Sequence, residues 1–139
     1  MDLRYGVLVD IASRVLAGEP VSLRMGWVNV IWQGDANARA LCCLLHAAAP
    51  PLAVNVTGAA RLRVRDVAAR FGAIFARAPR LQGEEAGDAL LADTSLAQRL
   101  FGAPEVDETT LIAWVAEWVA RGGRRLAKPT GFEVRDGRF

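Results

Sequence analysis

The residues of this sequence that could carry chemistry are few, and several stand in one short stretch. Cys42 and Cys43 are adjacent, and the only histidine, His46, follows Cys42 by about one helical turn. A zinc site needs four ligands in separated pairs, and this stretch is otherwise rich in Ala and Leu. We therefore interpret these residues as small buried hydrophobic side chains and a histidine at a helix end, and the sequence predicts no metal site.

Nucleophilic or acid/base catalysis has no better support. A serine or cysteine nucleophile needs a partner base, but the sequence has a single imidazole and no G-x-S-x-G elbow. Glu84, Glu85, Asp88 and Asp93 cluster in the sequence, but on a predicted loop without an apolar wall that would raise a carboxyl pKa. We interpret them as a solvated face and expect no catalytic residue in this chain.

The corner Gln33-Gly34-Asp35 joins an apolar stretch to an Ala-rich one. A phosphate-binding loop brings several glycines and usually a lysine, whereas this corner has one glycine beside an anionic side chain. A metal site would need further carboxylates or imidazoles nearby. The pattern favours a strand broken by Gly34 and a helix whose N-cap is Asp35.

Length and composition narrow the possibilities. The 139 residues, 53% of them hydrophobic, suit one domain with its own core. A net charge of +2 gives no strong attraction to nucleic acid or to an anionic membrane, and no apolar run reaches membrane-spanning length. Two adjacent cysteines are too few for a disulfide framework. We therefore expect a cytoplasmic protein that binds neither nucleic acid nor membranes.

Hydrophobic periodicity and turn signals predict one α/β unit over residues 1–123 and a surface tail over 124–139. Segment 36–48 is apolar on nearly every face, so we expect this helix to be buried. In the first half, the predicted elements are a helix over about 2–17 that stops at Gly18, a strand over Trp27–Trp32, the helix over 36–48 and a strand over Leu52–Val56. A helix follows, with Val64, Val67, Ala68, Phe71, Ile74 and Phe75 on one face. The remaining predicted elements are a short strand near Leu81, a short helix that is capped by Asp93 or Thr94 and ends at Gly102, and a helix from Asp107 to Gly122-Gly123.

Three segments carry a resemblance to a known family. Val28–Ala38 is similar to an apolar strand that leads to an Asp-containing corner and an Ala-rich helix, and Asn55–Gly58 with Leu62–Gly72 resembles an "N-x-x-G, then a helix of the v-r-d-v-a type" unit. Ala92–Pro104, followed by the Trp-bearing helix, resembles a "d-x-s-k-a, l-G-x-x-P" pattern. In this order the segments resemble the C-terminal half of an extended short-chain dehydrogenase/reductase of the NAD-dependent epimerase/dehydratase family.

The resemblance implies a partial Rossmann-like α/β fold with few short strands and about five helices. It also implies a substrate-binding role, with Trp32, Gln33, Asp35 and Asn55 lining the cleft for a small-molecule substrate. The complete family enzyme uses NAD or NADP, which the family binds in a dinucleotide-binding N-terminal half. On this hypothesis such a half, or a partner subunit that replaces it, completes the enzyme.

The chain departs from the family in two respects. It has no G-x-G-x-x-G loop and no Tyr-x-x-x-Lys pair, since Tyr5 is the only tyrosine and Val9 stands four residues later. We therefore expect no cofactor to bind to this chain alone. Nucleotide-sugar enzymes of the family place arginines where this chain has Asn29 and the stretch Gln82–Glu85, which argues against a nucleotide-sugar substrate.

An alternative from another functional class is a stand-alone interaction or small-ligand-binding module without catalysis. Met1 is followed by a helix with its own stop signal, as at the start of an independent domain. An independent module predicts a monodisperse monomer with a sharp unfolding transition, whereas part of a larger enzyme predicts exposed apolar faces and self-association.

Overall fold

Three helices pack around one apolar core at the centre of the fold. The computed structural model describes residues 1–126 and 128–135. Helix α1 (Val7–Ala17) packs against α3 (Val64–Ile74) and α5 (Glu108–Ala120), and α3 also contacts α5. Each fully buried aliphatic or aromatic side chain in such a core contributes about 1.5–3 kcal/mol. The largest fully buried side chains are Leu8, Ile11, Val15, Val21, Leu23, Val64, Phe71, Leu111 and Val115.

Short strands and two further helices complete the described part of the chain. Strand β1 (Pro20–Ser22) pairs in parallel with β4 (Arg80–Gln82), and β2 (Trp27–Val28) pairs antiparallel with β3 (Leu62–Arg63). The remaining helices are α2 (Gln33–Cys42), which runs into a 3₁₀ turn over Cys43–His46, and α4 (Ser95–Phe101). These elements confirm the predicted α/β class with few short strands and about five helices. Within residues 1–126 and 128–135, no helix combines the length and apolarity needed to cross a bilayer.

Local end signals predicted several helix boundaries correctly. Gly18 ends α1 in the left-handed conformation, with φ of 73°. Thr94 is the N-cap of α4, which ends at Gly102. The side chain of Asp107 accepts a hydrogen bond from the Thr110 N–H at 2.7 Å at the start of α5.

The first helix begins later than predicted. It starts at Val7 rather than near residue 2, because Asp2 and Tyr5 exchange backbone hydrogen bonds in a tight turn. The Asp2 carboxylate also accepts the Arg4 N–H at 2.6 Å. Gly6, with φ of 143°, then turns the chain into α1.

Two predicted strands were wrong in extent or existence. The strand over Trp27–Trp32 is limited to Trp27–Val28, because β3 supplies only two pairing residues. Residues 52–56 form no strand in the described structure, and Leu52 is 49% exposed. An apolar run forms a strand only where another strand completes its backbone hydrogen bonds, and none of the described strands pairs with this segment.

The prediction of a buried helix over 36–48 was also wrong. Helix α2 begins at Gln33, ends at Cys42 and buries only Asp35 and Arg39. Leu41, Leu44 and Leu45 are 69%, 72% and 85% exposed. These three exposed leucines, on α2 and on the 3₁₀ turn that follows it, form an apolar surface that we call the α2 leucine surface.

The tail after residue 123 follows α1 where the structure describes it. The Leu126 N–H donates to the Arg4 carbonyl at 3.0 Å, and Arg14 pairs with Glu133 at 2.9 Å. Phe132 packs against the core. The predicted tail also includes residues 127 and 136–139, which lie outside the described residues.

Candidate functional site

The corner Trp32-Gln33-Gly34-Asp35 forms the first turn of α2, in a different way from the predicted one. The N-cap is Trp32, so the prediction that Asp35 is the N-cap was wrong. Asp35 is 8% exposed, and its Oδ2 accepts the Val106 N–H at 3.1 Å. Its carboxylate therefore ties α2 to the loop that precedes α5.

The other three corner residues face different surroundings. The Trp32 ring meets the Trp114 ring edge to face, with centroids 5.6 Å apart, so Trp32 is anchored on α5. The Gln33 N–H donates to the Met1 carbonyl at 2.8 Å, and the Gln33 side chain is exposed. A Cβ at Gly34 would lie 2.7 Å from Trp32 Nε1, so the corner needs glycine as long as Trp32 keeps this position.

Asn55 lies at a separate place, where two asparagines hold one strip of backbone. The Asn55 Nδ2 donates to the Asp93 carbonyl at 3.0 Å, and the Asn29 Nδ2 donates to the Ala92 carbonyl at 2.9 Å. Asn29 was not among the predicted site residues. Its only signal in the sequence was an amide side chain where the family that the sequence resembles has an arginine.

The strip at residues 92–95 borders a polar cleft of about 280 Å³, lined among others by Asn29, Arg61, Ser95 and Gln98. Ser95 donates to Asp93 through both its N–H, at 2.9 Å, and its hydroxyl, at 2.6 Å. The Ser95 hydroxyl, followed by its N–H, lowers the pKa of Asp93. This carboxylate stays ionised near neutral pH, so it serves as a hydrogen-bond acceptor there.

Asp35 lines a second cavity, of about 380 Å³, between α2 and the segment 100–105. Arg39, 5% exposed, lies one turn further along α2 and donates from Nη2 to the Gly102 carbonyl at 2.6 Å. Its Nη1 is buried without a hydrogen-bond partner among the described residues. The His46 ring meets the Phe101 ring edge to face, with centroids 5.7 Å apart. Trp32, Gln33 and Asn55 do not line this cavity, so the structure does not bring the four predicted site residues into one pocket.

The acidic stretch near residue 85 is ion-paired rather than simply solvated. Glu85 accepts from Arg63 Nη2 at 2.5 Å and from Arg65 Nε at 3.1 Å. The hydrogen bond from Arg63 is the largest cause of the lowered Glu85 pKa. Asp88 pairs with Arg135, which lowers the Asp88 pKa as well. Carboxyls held ionised in this way are poor proton donors.

Cys42, Cys43 and His46 form no metal-ligand group. Cys42 is exposed and Cys43 is half-buried, so the prediction that both cysteines are buried was wrong. Among residues 1–126 and 128–135, no group of three or more His, Cys, Asp or Glu side chains is arranged to hold a metal ion.

The fold is shared with solved structures of larger proteins, two of them UDP-glucose 4-epimerases. UDP-glucose 4-epimerase from Thermotoga maritima, with UDP-glucose, is 17% identical and aligns over 84% of this chain and 40% of its own, with a TM-score of 0.60. UDP-glucose 4-epimerase from Thermus thermophilus, with NAD, is 21% identical over 79% and 38%, with a TM-score of 0.57. The Bordetella bronchiseptica enzyme WbmH, with NAD⁺, is 16% identical over 84% and 39%, with a TM-score of 0.55.

These comparisons define the class of fold. The chain has a partial Rossmann-like α/β fold of the kind found in NAD-dependent epimerases, and it spans about two fifths of the length of the structures it matches. No protein-family model and no curated protein sequence matches it.

Proposed function

We propose that this chain supplies the substrate-binding C-terminal part of an NAD(P)-dependent epimerase/dehydratase-like oxidoreductase and is inactive alone. The observation that carries the proposal is the alignment of 84% of the chain with only 40% of an epimerase. The absence of a glycine-rich loop and of a Tyr-x-x-x-Lys pair from these 139 residues supports it. A dinucleotide-binding N-terminal half or a partner subunit would supply both.

The starts of α1 and α2 do not fit a dinucleotide. A cofactor pyrophosphate needs converging N–H groups and glycines that allow close approach. At the start of α2, Trp32 Nε1 occupies the space beside Gly34, and Asp35 adds a negative charge in the first turn. At the start of α1, a Cβ on Gly6 would lie 2.6 Å from the Met1 Cβ, so that glycine is already covered. We therefore assign no step of cofactor chemistry to this chain.

On this proposal the four predicted residues divide into contacting and positioning roles. Gln33 and Asn55 have exposed side chains. In Asn55, Nδ2 donates to the Asp93 carbonyl, and the side-chain oxygen Oδ1 takes no part in that hydrogen bond. Each of these side chains would donate or accept a hydrogen bond with a polar group of the substrate at its own surface, since the two do not line one pocket with Asp35. Trp32, anchored on Trp114, would form an apolar wall, and Asp35 would hold the neighbouring loop through Val106.

The α2 leucine surface supports the need for a partner. Leu41, Leu44 and Leu45 are exposed on consecutive turns, with Cys42 between them. A contiguous exposed apolar patch is uncommon on a protein that stays free in solution and usually marks a site of interaction with another protein. The stand-alone alternative has no comparable observation in its favour.

Calorimetric titration with NADH and NADPH tests the inactivity of the isolated chain. We expect no saturable binding in the micromolar range, because the sequence has no glycine-rich loop and the glycines at the starts of α1 and α2 are covered. A dissociation constant of about 1 μM, equivalent to about −8 kcal/mol, would contradict the proposal. A chain that binds NADH after Trp32→Ala but not before would show that the Trp32 side chain alone blocks the site.

A further inference from the structure

A cavity of about 550 Å³ lies between α1 and the tail. Its walls include Tyr5, Asp10, Arg124, Arg125 and Thr130. Trp32, Gln33, Asp35 and Asn55 do not line it, so it is separate from the site proposed above. The volume falls in the range of small-molecule binding sites, about 300–1,000 Å³.

The walls of this cavity are fixed by hydrogen bonds between distant parts of the chain. The Tyr5 hydroxyl donates to the Pro129 carbonyl at 3.2 Å, and the Trp118 indole N–H donates to the Arg124 carbonyl at 3.2 Å. The Thr130 hydroxyl donates to the Asp10 carboxylate. The backbone that carries the cavity's side chains is therefore held in place without a ligand.

Two of the arginines in the walls are already neutralised. Arg4 pairs with Asp2 at 2.7 Å, and Arg14 pairs with Glu133 at 2.9 Å. Because these two ion pairs are neutral, the net charge of the cavity depends on its remaining charged side chains.

The remaining charges are mostly positive. Arg124 and Arg125 are exposed and form no ion pair with a described residue. The Lys128 ammonium stands 4.4 Å from the centre of the ring of Tyr5, which is a residue of the cavity wall. Against these three cations stands Asp10, the one lining carboxylate without an ion pair to a described residue. Among the described residues, Arg124, Arg125 and the nearby Lys128 therefore outnumber Asp10 by two charges.

We propose that this cavity binds a small molecule that carries a phosphate or diphosphate group. Guanidinium groups present planar pairs of N–H donors that match phosphate oxygens, and a dianion balances the local excess of charge. Arg124 and Arg125 would contact the phosphate oxygens, and Lys128 would add a charge beside Tyr5. The proposal goes beyond the substrate-binding role and requires no dinucleotide-binding partner, so the two can fail independently.

Calorimetric titration of the full chain with pyrophosphate tests the proposal at physiological salt. We expect saturable binding at one site, and at least about tenfold weaker binding after Arg124→Gln with Arg125→Gln, since both guanidinium groups that would donate to the phosphate oxygens are lost. The matched control, Arg70→Gln with Arg99→Gln, removes the same charge from exposed positions that do not line the cavity. We expect its affinity to stay within about twofold of the unaltered chain, because distant surface charges are screened.

Three outcomes would overturn the proposal. The first is the absence of saturable binding up to about 10 mM pyrophosphate, a range that reaches beyond affinities of about −4 kcal/mol. The second is an equal loss of affinity in the control variant. The third is equally tight binding of succinate at the same ionic strength. Circular dichroism of each variant establishes that its fold is retained. Both altered pairs are exposed, so loss of the fold is not expected.

Discussion

The carboxylate of Asp35 accepts the backbone N–H of Val106 at 3.1 Å and so joins the first turn of α2 to a loop 71 residues away. Asp35 is 8% exposed, so water has little access to this hydrogen bond. The bond holds the candidate substrate corner against the loop that leads into α5. Through this hydrogen bond, the corner around Gly34 is fixed in the tertiary structure.

We expect Asp35→Ala to lower the free energy of unfolding by about 1–3 kcal/mol, because the Val106 N–H loses its acceptor in a partly buried place. Asp35→Asn keeps an acceptor oxygen, so its loss should be clearly smaller. Urea unfolding followed by circular dichroism gives both values. Equal losses for the two variants would mean that the hydrogen bond with Val106 is not what Asp35 contributes.

We expect Arg39→Met to leave the free energy of unfolding within about 1 kcal/mol of the original value, since the change also removes a buried guanidinium whose Nη1 has no described partner. Gly102 is exposed, so water can hydrate the carbonyl that Arg39 leaves. Arg39→Ala leaves a cavity and should cost about 2–3 kcal/mol. Thermal unfolding compares the two. A methionine variant as unstable as the alanine variant would show that the charge itself stabilises the fold.

We expect Gly58→Ala to destabilise the protein by about 3 kcal/mol, because overpacking against rigid backbone cannot relax by a side-chain rotation. An ideal Cβ at Gly58 would lie 2.1 Å from the Val30 carbonyl oxygen. Gly87 has no atom within 4 Å of its Cβ position, so Gly87→Ala is the matched control. The control should change stability by no more than about 0.5 kcal/mol. Similar losses in both variants would refute the close contact.

We expect the stabilisation that Glu85 provides to disappear in acid. Arg63, followed by Arg65, lowers the Glu85 pKa in the folded chain, so the contribution is complete above the ordinary carboxyl pKa of about 4.3 and is lost as the pH falls through the lower folded value. The difference in unfolding free energy between the original chain and Glu85→Gln should shrink over that range. Glu84→Gln, at an exposed residue without an ion pair to a described residue, should show no such trend. A difference that is constant with pH would contradict the ion pairs.

Local chemistry predicted the ends of the helices better than their surroundings. Gly18, Thr94 and Asp107 end or begin helices through contacts with their own neighbours in sequence, so the sequence alone contains the signal. Asp35 could also have capped a helix, but its carboxylate accepts the Val106 N–H instead. No local sequence pattern reveals this contact, because Val106 is distant in the sequence. The start of α2 was therefore misplaced by a few residues.

Burial was harder to predict, because apolarity does not show which face is covered. The segment 36–48 is apolar, yet its leucines are exposed, while the charged Arg39 is buried. Residues 52–56 have strand composition but no described strand to pair with. The arrangement of the candidate site could not be predicted for the same reason, since the contacts of Asn29 and Asn55 with residues 92–93 depend on the tertiary fold.

The coding sequence that precedes Met1 on the transcript tests most directly whether this chain is one part of a larger enzyme. We expect a glycine-rich strand-turn-helix and a Tyr-x-x-x-Lys pair, encoded either in the same frame or in an adjacent gene of that transcript. This chain would then be the substrate-binding part of the enzyme so encoded. A transcript that encodes only this chain would contradict the proposed function and favour a module that works alone.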